Sequence, residues 1–292
     1  MPLTLLLARK AMTTASQVRV LHGLDPRVPI CVYDLIERCD IELRFLSLPS
    51  LEGVYAAGDP PIVAISSMRP SGRQRFSGAH ELGHHVFGHA TRIDELDSAT
   101  QRRFEPDEFL VDCFADFLLM PKLAVIIAAR ARGIRIDQAG PTELFELAGY
   151  FGVGYRTLIH HLHRNLGLIA KDHADQLRKT KPSSIRQQLL PDCKSVDVFI
   201  ADKNWVGRPI DLHVGDFLLV PADCTITSNV LAIDQKNERL VLKGVKPGIC
   251  RLLQPATDWA SYVRIAPRSG DGNFRGRAIF RHEPEVETQS VH

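Results

Sequence analysis

Residues 80–89 read His-Glu-Leu-Gly-His-His-Val-Phe-Gly-His, a histidine-rich stretch on a segment patterned as a helix. A helix turns about 100° per residue, so His80 and His84 stand about 40° apart and can present two imidazole nitrogens to one metal ion. Glu81, one residue round, is placed to take a proton from a zinc-bound water that the metal has acidified. The same helix also has a face to bury. Ala79, Leu82 and Val86 gather opposite the two histidines, and Gly83 lets another backbone come close. The competing reading is a histidine-rich helix that meets the pattern by chance.

The flanking residues add context. Arg73-Gln74-Arg75-Phe76-Ser77 offers Ser77 as an N-cap for the helix. Upstream, Ile62 to Ser66 alternates like a strand, and such a strand beside a metal helix is an edge for an extended peptide. His85 and His89 fall about 120° and 160° from the midpoint of the ligand pair at helical spacing, which sets both aside as ligands. The longer three-histidine pattern fails, because Phe87 and Ala90 stand where Gly and His are required.

A third ligand must come from elsewhere, and the segment from Glu105 to Pro121 offers one. Pro106 suits the first turn of a helix and Pro121 ends it. Glu108, Asp112, Ala115 and Leu119 share one face, with Leu110, Phe114, Phe117 and Leu118 on the other. Glu108 would ligate, and Asp112, one turn on, would hold a ligand histidine by its second ring nitrogen. Asp107 is the rival ligand, about 100° away. A solvated acidic stripe is the alternative.

These motifs resemble those of the ImmA/IrrE peptidases. The resemblance runs from Gly53-Val54-Tyr55 through Ile62 to Ser66, Arg69-Pro70, residues 73–76, residues 79–84 and Glu108 to Leu118-Leu119-Met120-Pro121. It covers a little over half the chain. It implies Zn2+ held by His80, His84 and Glu108, with Glu81 as the base. It also implies, as substrate, a helix-turn-helix repressor whose cleavage releases transcription after DNA damage or another stress. Val111-Asp112 departs from the Ala-Asn usual there. The layout is also similar to that of family members that accompany a repressor in bacterial anti-phage operons.

With 292 residues, 45% of them hydrophobic, the chain can bury a substantial core and is expected to form two domains. A net charge of +2 gives no overall field for nucleic acid, so any such binding needs a local patch. The six cysteines show no Cys-x-x-Cys pairing, and Leu3 to Leu7 is too short an apolar run for a signal peptide. Free thiols in a reducing cytoplasm are expected, with no membrane partner.

The expected fold is α+β: a mainly helical zincin-like metallopeptidase domain with a small sheet, followed by a mainly β sensor domain. Helices are expected from Leu3 to His22, Val32 to Arg38 and Lys122 to Arg132, and a strand from Ile41 to Leu46. The first domain spans 1–168. Within it, 141–165 resembles a helix-turn-helix, with Tyr155, Arg156 and His160 exposed for DNA in one reading. In the other reading the pair completes the peptidase fold. Tyr150, Tyr155, His160 and His161 are candidates to stabilise an oxyanion. Residues 169–194 read as a linker, 195–282 as a sandwich or partly open barrel, and 283–292 as a disordered tail. Within 195–282, Arg264, Arg268, Arg275, Arg277 and Arg281 with Phe274 suit single-stranded DNA as an activator, or else guard an edge strand.

A regulatory peptidase must stay quiet until it is needed. The Cys113 thiolate at the metal's open position would silence it, although helical spacing puts Cys113 about 140° from Glu108. On that reading Cys113→Ser raises basal cleavage; on the other, Cys113 is a small core residue. The competing function is a non-catalytic DNA-binding regulator in which zinc only staples the fold.

Overall fold

The computed structural model describes residues 2–95, 104–191, 197–205, 208–236, 238–255, 257–267 and 274–275. Two compact units emerge: 1–191 with 270–276, and 192–269 with 277–292. The chain is α+β.

The first unit opens with α1 (Leu3–Leu21) and α2 (Val32–Arg38), followed by β1 (Glu42–Leu46), β2 (Leu51–Ala56) and β3 (Ile62–Ser66). Then come α3 (Ser71–Val86), β4 (Arg92–Glu95), α4 (Pro106–Leu119) and α5 (Lys122–Ala131). A small sheet of order β1-β3-β2-β4 backs the helices, with β3 parallel to β1 and antiparallel to β2. Because β1 and β2 occupy both its edges, β3 has no free edge for a peptide, contrary to the expectation from its sequence.

Helix α3 begins six residues before the Ser77 cap expected from the sequence. The Pro70 carbonyl accepts from the amides of Arg73 and Gln74, while the Gln74 side-chain amide donates to the carbonyls of Ser67 and Arg69. Together they supply the start that Ser77 was expected to give, and Ser77 lies buried inside the helix. Arg69 closes the loop before β2 by donating to the Pro49 carbonyl, and Arg73 Nε donates to Glu52 Oε2 at 2.8 Å.

Helix α4 is sandwiched between α1 and α3. Leu110, Val111, Phe114, Ala115, Leu118 and Leu119 are all buried, so only its first turns keep a polar face. On the α1 side, Arg19 is 2% exposed and its guanidinium donates to the carbonyls of Leu118, Asp25 and Val28. Burial pulls the Arg19 pKa down to about 10, which still leaves it charged at neutral pH. One cation thereby satisfies a carbonyl at the C-terminal end of α4 and the loop after α1 together.

The helix-turn-helix-like segment forms α6 (Pro141–Phe151) and α7 (Tyr155–His160), with a π turn over His161–Asn165. Tyr155, Leu158, Ile159 and Leu162 are buried, and Tyr155 donates to the Leu177 carbonyl at 3.0 Å. Half of the second helix is therefore packing surface, with Arg156 and His160 exposed.

The 169–194 segment expected as a linker instead holds α8 (Lys171–Lys179) and α9 (Pro182–Leu189). Ala174, Leu177 and Ile185 are buried against the first unit. A few apolar residues in a polar stretch suffice for docking here, because the surface they meet is already built.

The second unit is all strand among its described residues. One sheet orders β5 (Val198–Ile200), β7 (Phe217–Pro221), β10 (Arg239–Gly244) and β9 (Leu231–Lys236). The other orders β6 (Pro209–His213), β12 (Ala260–Ala266), β11 (Gly248–Leu253) and β8 (Thr225–Ile226). Strands β6, β8 and β11 escaped the sequence reading: β6 starts on proline and buries Asp211 and His213, which breaks the expected alternation. Asp216, fully buried, accepts from the amides of Asp197 and His213 and so fixes the turn into β7.

A short β13 (Phe274–Arg275) pairs antiparallel with β1 of the first unit, so the span 195–282 is not one continuous β domain. The tail expected at 283–292 lies outside the described residues. No helix among the described residues is long and apolar enough to cross a membrane. Among the described residues, Cys31, Cys39, Cys113, Cys224 and Cys250 form no disulfide.

Replacing Arg19 by Met keeps the stem but leaves buried carbonyls without their charged donor. The expected loss is about 3 kcal/mol of stability, read as a shifted denaturation midpoint.

Candidate metal centre

Helices α3 and α4 meet at Gly83. A Cβ there would lie 3.0 Å from Val111 Cβ and 3.1 Å from Phe114 Cδ1, so even an alanine would ask these side chains to give by a few tenths of an ångström. The close approach of the two helices sets Glu108, in the first turn of α4, opposite His80 and His84.

The two Nε2 atoms stand 3.1 Å apart, His80 Nε2 lies 3.3 Å from Glu108 Oε2, and His84 Nε2 lies 3.7 Å from Glu108 Oε1. Zinc with nitrogen ligands at about 2.0 Å has tetrahedral edges of about 3.3 Å. The donor triangle therefore fits three corners of a zinc tetrahedron and leaves the fourth for water or substrate. Among the described residues these three form a cluster that could hold a metal ion. His84 is fully buried, His80 nearly so, and the Glu108 side chain is 24% exposed, so the site opens on the α4 side.

The surrounding groups hold these side chains. His80 Nδ1 donates to Asp112 Oδ1 at 2.9 Å. On the other ligand, His84 Nδ1 meets His89 Nδ1 at 2.9 Å, a contact the sequence reading missed when it set His89 aside. That reading ran the helix on through residue 89, but α3 ends at Val86. Asp107, the rival ligand, lies 3.9 Å from His89 Nε2 and outside the cluster. His85 turns to β2, where its Nδ1 lies 3.2 Å from the Tyr55 hydroxyl; burial lowers the His85 pKa and raises that of Tyr55.

Glu81 is fully buried and its carboxylate lies against β2 at Gly53. A Cβ at Gly53 would stand 2.4 Å from Glu81 Oε1 and 3.1 Å from its Cδ. Only glycine leaves the carboxylate in this place. The sequence held the signal in Gly53-Val54-Tyr55, but nothing in it paired Gly53 with Glu81.

Other expected site residues lie elsewhere. Cys113 is buried and outside the metal cluster, and burial, with Asp116 and Asp112, pushes its thiol up to about 12. It is a neutral core residue in this state, as its angle from Glu108 required. Of the oxyanion candidates, Tyr155 is committed to the Leu177 carbonyl and His161 to the Met120 carbonyl at 2.9 Å. His160 sits 3.8 Å from the buried Asp116, and the Arg132 guanidinium stacks on Tyr150.

The arginines do not gather on one sheet. Arg264 Nε donates to Asp211 Oδ1 at 2.6 Å within the second unit, whereas Arg275 pairs with Arg44 of β1 in the first. Arg268, Arg277 and Arg281 lie outside the described residues.

A buried helix carrying two histidines and a glutamate, with a carboxylate from a neighbouring helix as the third candidate donor, forms a candidate metal centre of metallopeptidase type. Residues 36–163 match the family model described as the IrrE N-terminal-like domain, Peptidase M78, which supports the ImmA/IrrE family for this part of the chain. The matched span runs from the end of α2 into the π turn and contains every residue of the cluster. No curated protein matches the chain. Among solved structures, the cysteine protease inhibitor EhICP2 from Entamoeba histolytica is similar over 25% of this chain and 99% of its own, at 10% identity and a TM-score of 0.21. A likeness that low carries no argument.

Gly53→Ala is expected to push the Glu81 carboxylate aside. Peptide turnover should fall about 100-fold, as misplacing a reacting group by about 1 Å does, with the bound-metal content unchanged. Cys113→Ser is expected to leave basal turnover within about twofold of wild type, because the thiol is remote from the cluster and neutral.

Proposed function

We propose that this chain is a zinc-dependent endopeptidase that cleaves a partner helix-turn-helix repressor in response to a stress or DNA-damage signal. The observation that carries the reading is the three-cornered donor set with a fully buried carboxylate beside it and one open side. Zinc bound at His80, His84 and Glu108 would polarise a peptide carbonyl and acidify water.

The chain's own residues do the rest. Asp112 fixes the tautomer and orientation of His80 by accepting from Nδ1, so that Nε2 keeps its lone pair for the metal. Glu81 accepts the proton of the attacking water on its carboxylate and returns it to the leaving amine nitrogen. Its burial between α3 and β2 keeps bulk water off that carboxylate, and Gly53 fixes where it stands. The partly exposed Glu108 and Asp112 mark the side from which a polypeptide reaches the metal.

The non-catalytic alternative gains little support. Structural zinc sites are closed by four protein ligands, whereas three are gathered here among the described residues, and the helix-turn-helix-like pair buries three of the six residues of its second helix. The stress signal and the repressor substrate rest on the family resemblance. A sensing role for the β unit, with single-stranded DNA as activator, rests on the sequence.

The test incubates wild type and Glu81→Gln with a candidate helix-turn-helix repressor, with and without single-stranded DNA. Wild type should cut the repressor, and Glu81→Gln should lose at least about 100-fold of that rate while holding zinc. Zinc-loaded wild type that cuts nothing in either condition would favour the regulator. Cutting that ignores DNA would remove the sensor role assigned to the β unit.

A further inference from the structure

Helix α3 ends in a way that returns His89 to a metal ligand. Gly88 takes φ +70°, its amide donates to the His85 carbonyl, and the His89 amide donates to the His84 carbonyl at 2.9 Å. This is the Schellman arrangement, in which the chain reverses over the last turn. It ties the His89 backbone to the same residue whose ring its side chain meets.

His89 is held there by further contacts. Phe87 stacks on its ring at 6.1 Å, and Phe87 in turn packs edge-on against Phe114 of α4. The His89 side chain is 13% exposed. Its Nδ1 lies 2.9 Å from His84 Nδ1, and its Nε2 points to Asp107 Oδ1 at 3.9 Å.

We infer that His89 is the positioning residue for His84: it accepts the Nδ1 proton of His84 and thereby leaves His84 Nε2 as the metal-facing lone pair. Neither ring can use both nitrogens for the same role, so the chain of contacts has one consistent direction. Asp107 Oδ1, 3.9 Å from His89 Nε2, takes that nitrogen's proton through a bridging water, and His89 Nδ1 takes the His84 proton. The two histidine ligands are thus held by unlike devices. A carboxylate on α4 holds His80 directly, and a neutral imidazole from the C-terminal cap of α3 holds His84.

The inference rests on the zinc reading of the cluster but not on catalysis, and its test reads metal affinity. His89→Ala and His89→Asn are compared with wild type by competition for zinc against a chelator and by the visible spectrum of the cobalt-substituted protein. Thermal melting of each metal-free protein checks the fold. Asn can set an amide oxygen where Nδ1 stood, so His89→Asn should bind zinc within about threefold of wild type. His89→Ala should lose about 10- to 100-fold in affinity and shift the cobalt spectrum, with its metal-free melting unchanged.

Equal affinity for wild type and His89→Ala would overturn the proposal. So would equal losses in both variants that track a drop in metal-free stability, which is the signature of a merely structural cap. Wild type that holds zinc yet cuts no repressor would count against the peptidase reading alone.

Discussion

The metal centre depends on how closely two helices approach. At Gly83 the α3 backbone lies against Val111 and Phe114 of α4, so that an added methyl group would meet carbon atoms at about 3 Å. With the helices this close, Glu108 stands within 3.3 to 3.7 Å of the histidine nitrogens. Metal-ligand distances hold to within about 0.2 Å, and a Cβ at Gly83 would already ask its neighbours to give by a few tenths of an ångström.

The rest of the first unit keeps α4 in that position. From the far side, Arg19 clamps the C-terminal end of α4 to α1 and its following loop, while Phe114 and Leu118 fill the space between the helices. On the near side, β2 brings Gly53 against Glu81 and Tyr55 against His85. The Glu81 carboxylate is thus held against a strand, and the three candidate metal donors come from two helices. Burial is deepest at Glu81 and His84 and lessens toward Glu108 and Asp112, which gives the site one direction of entry.

Much of this was legible in the chain. The spacing of His80 and His84 follows from the helical repeat alone, and Pro106 and Pro121 bracket α4 because proline suits a first turn and cannot continue a helix. The bounds of α2 and β3 were plain from periodicity. The failures have local causes. Ser77 looked like a cap because serine favours that position, but Pro70 and the Gln74 amide had already begun the helix. The 169–194 stretch looked like a linker because its apolar residues are sparse, yet Leu177 and Ile185 dock on a ready-made surface.

The sequence by itself determined which residues share a helix face and which chemical groups that face offers, because both are fixed by one local repeat. Only the tertiary structure decided what those faces meet. It placed Glu108 against the histidines, Gly53 against Glu81, and Cys113 away from the metal cluster. It also brought His89 to His84, because a left-handed glycine cancels the angle that the helical repeat would have given. Contacts of this kind depend on where one element ends and how near the next can come. Those distances are set by packing among residues far apart in the chain.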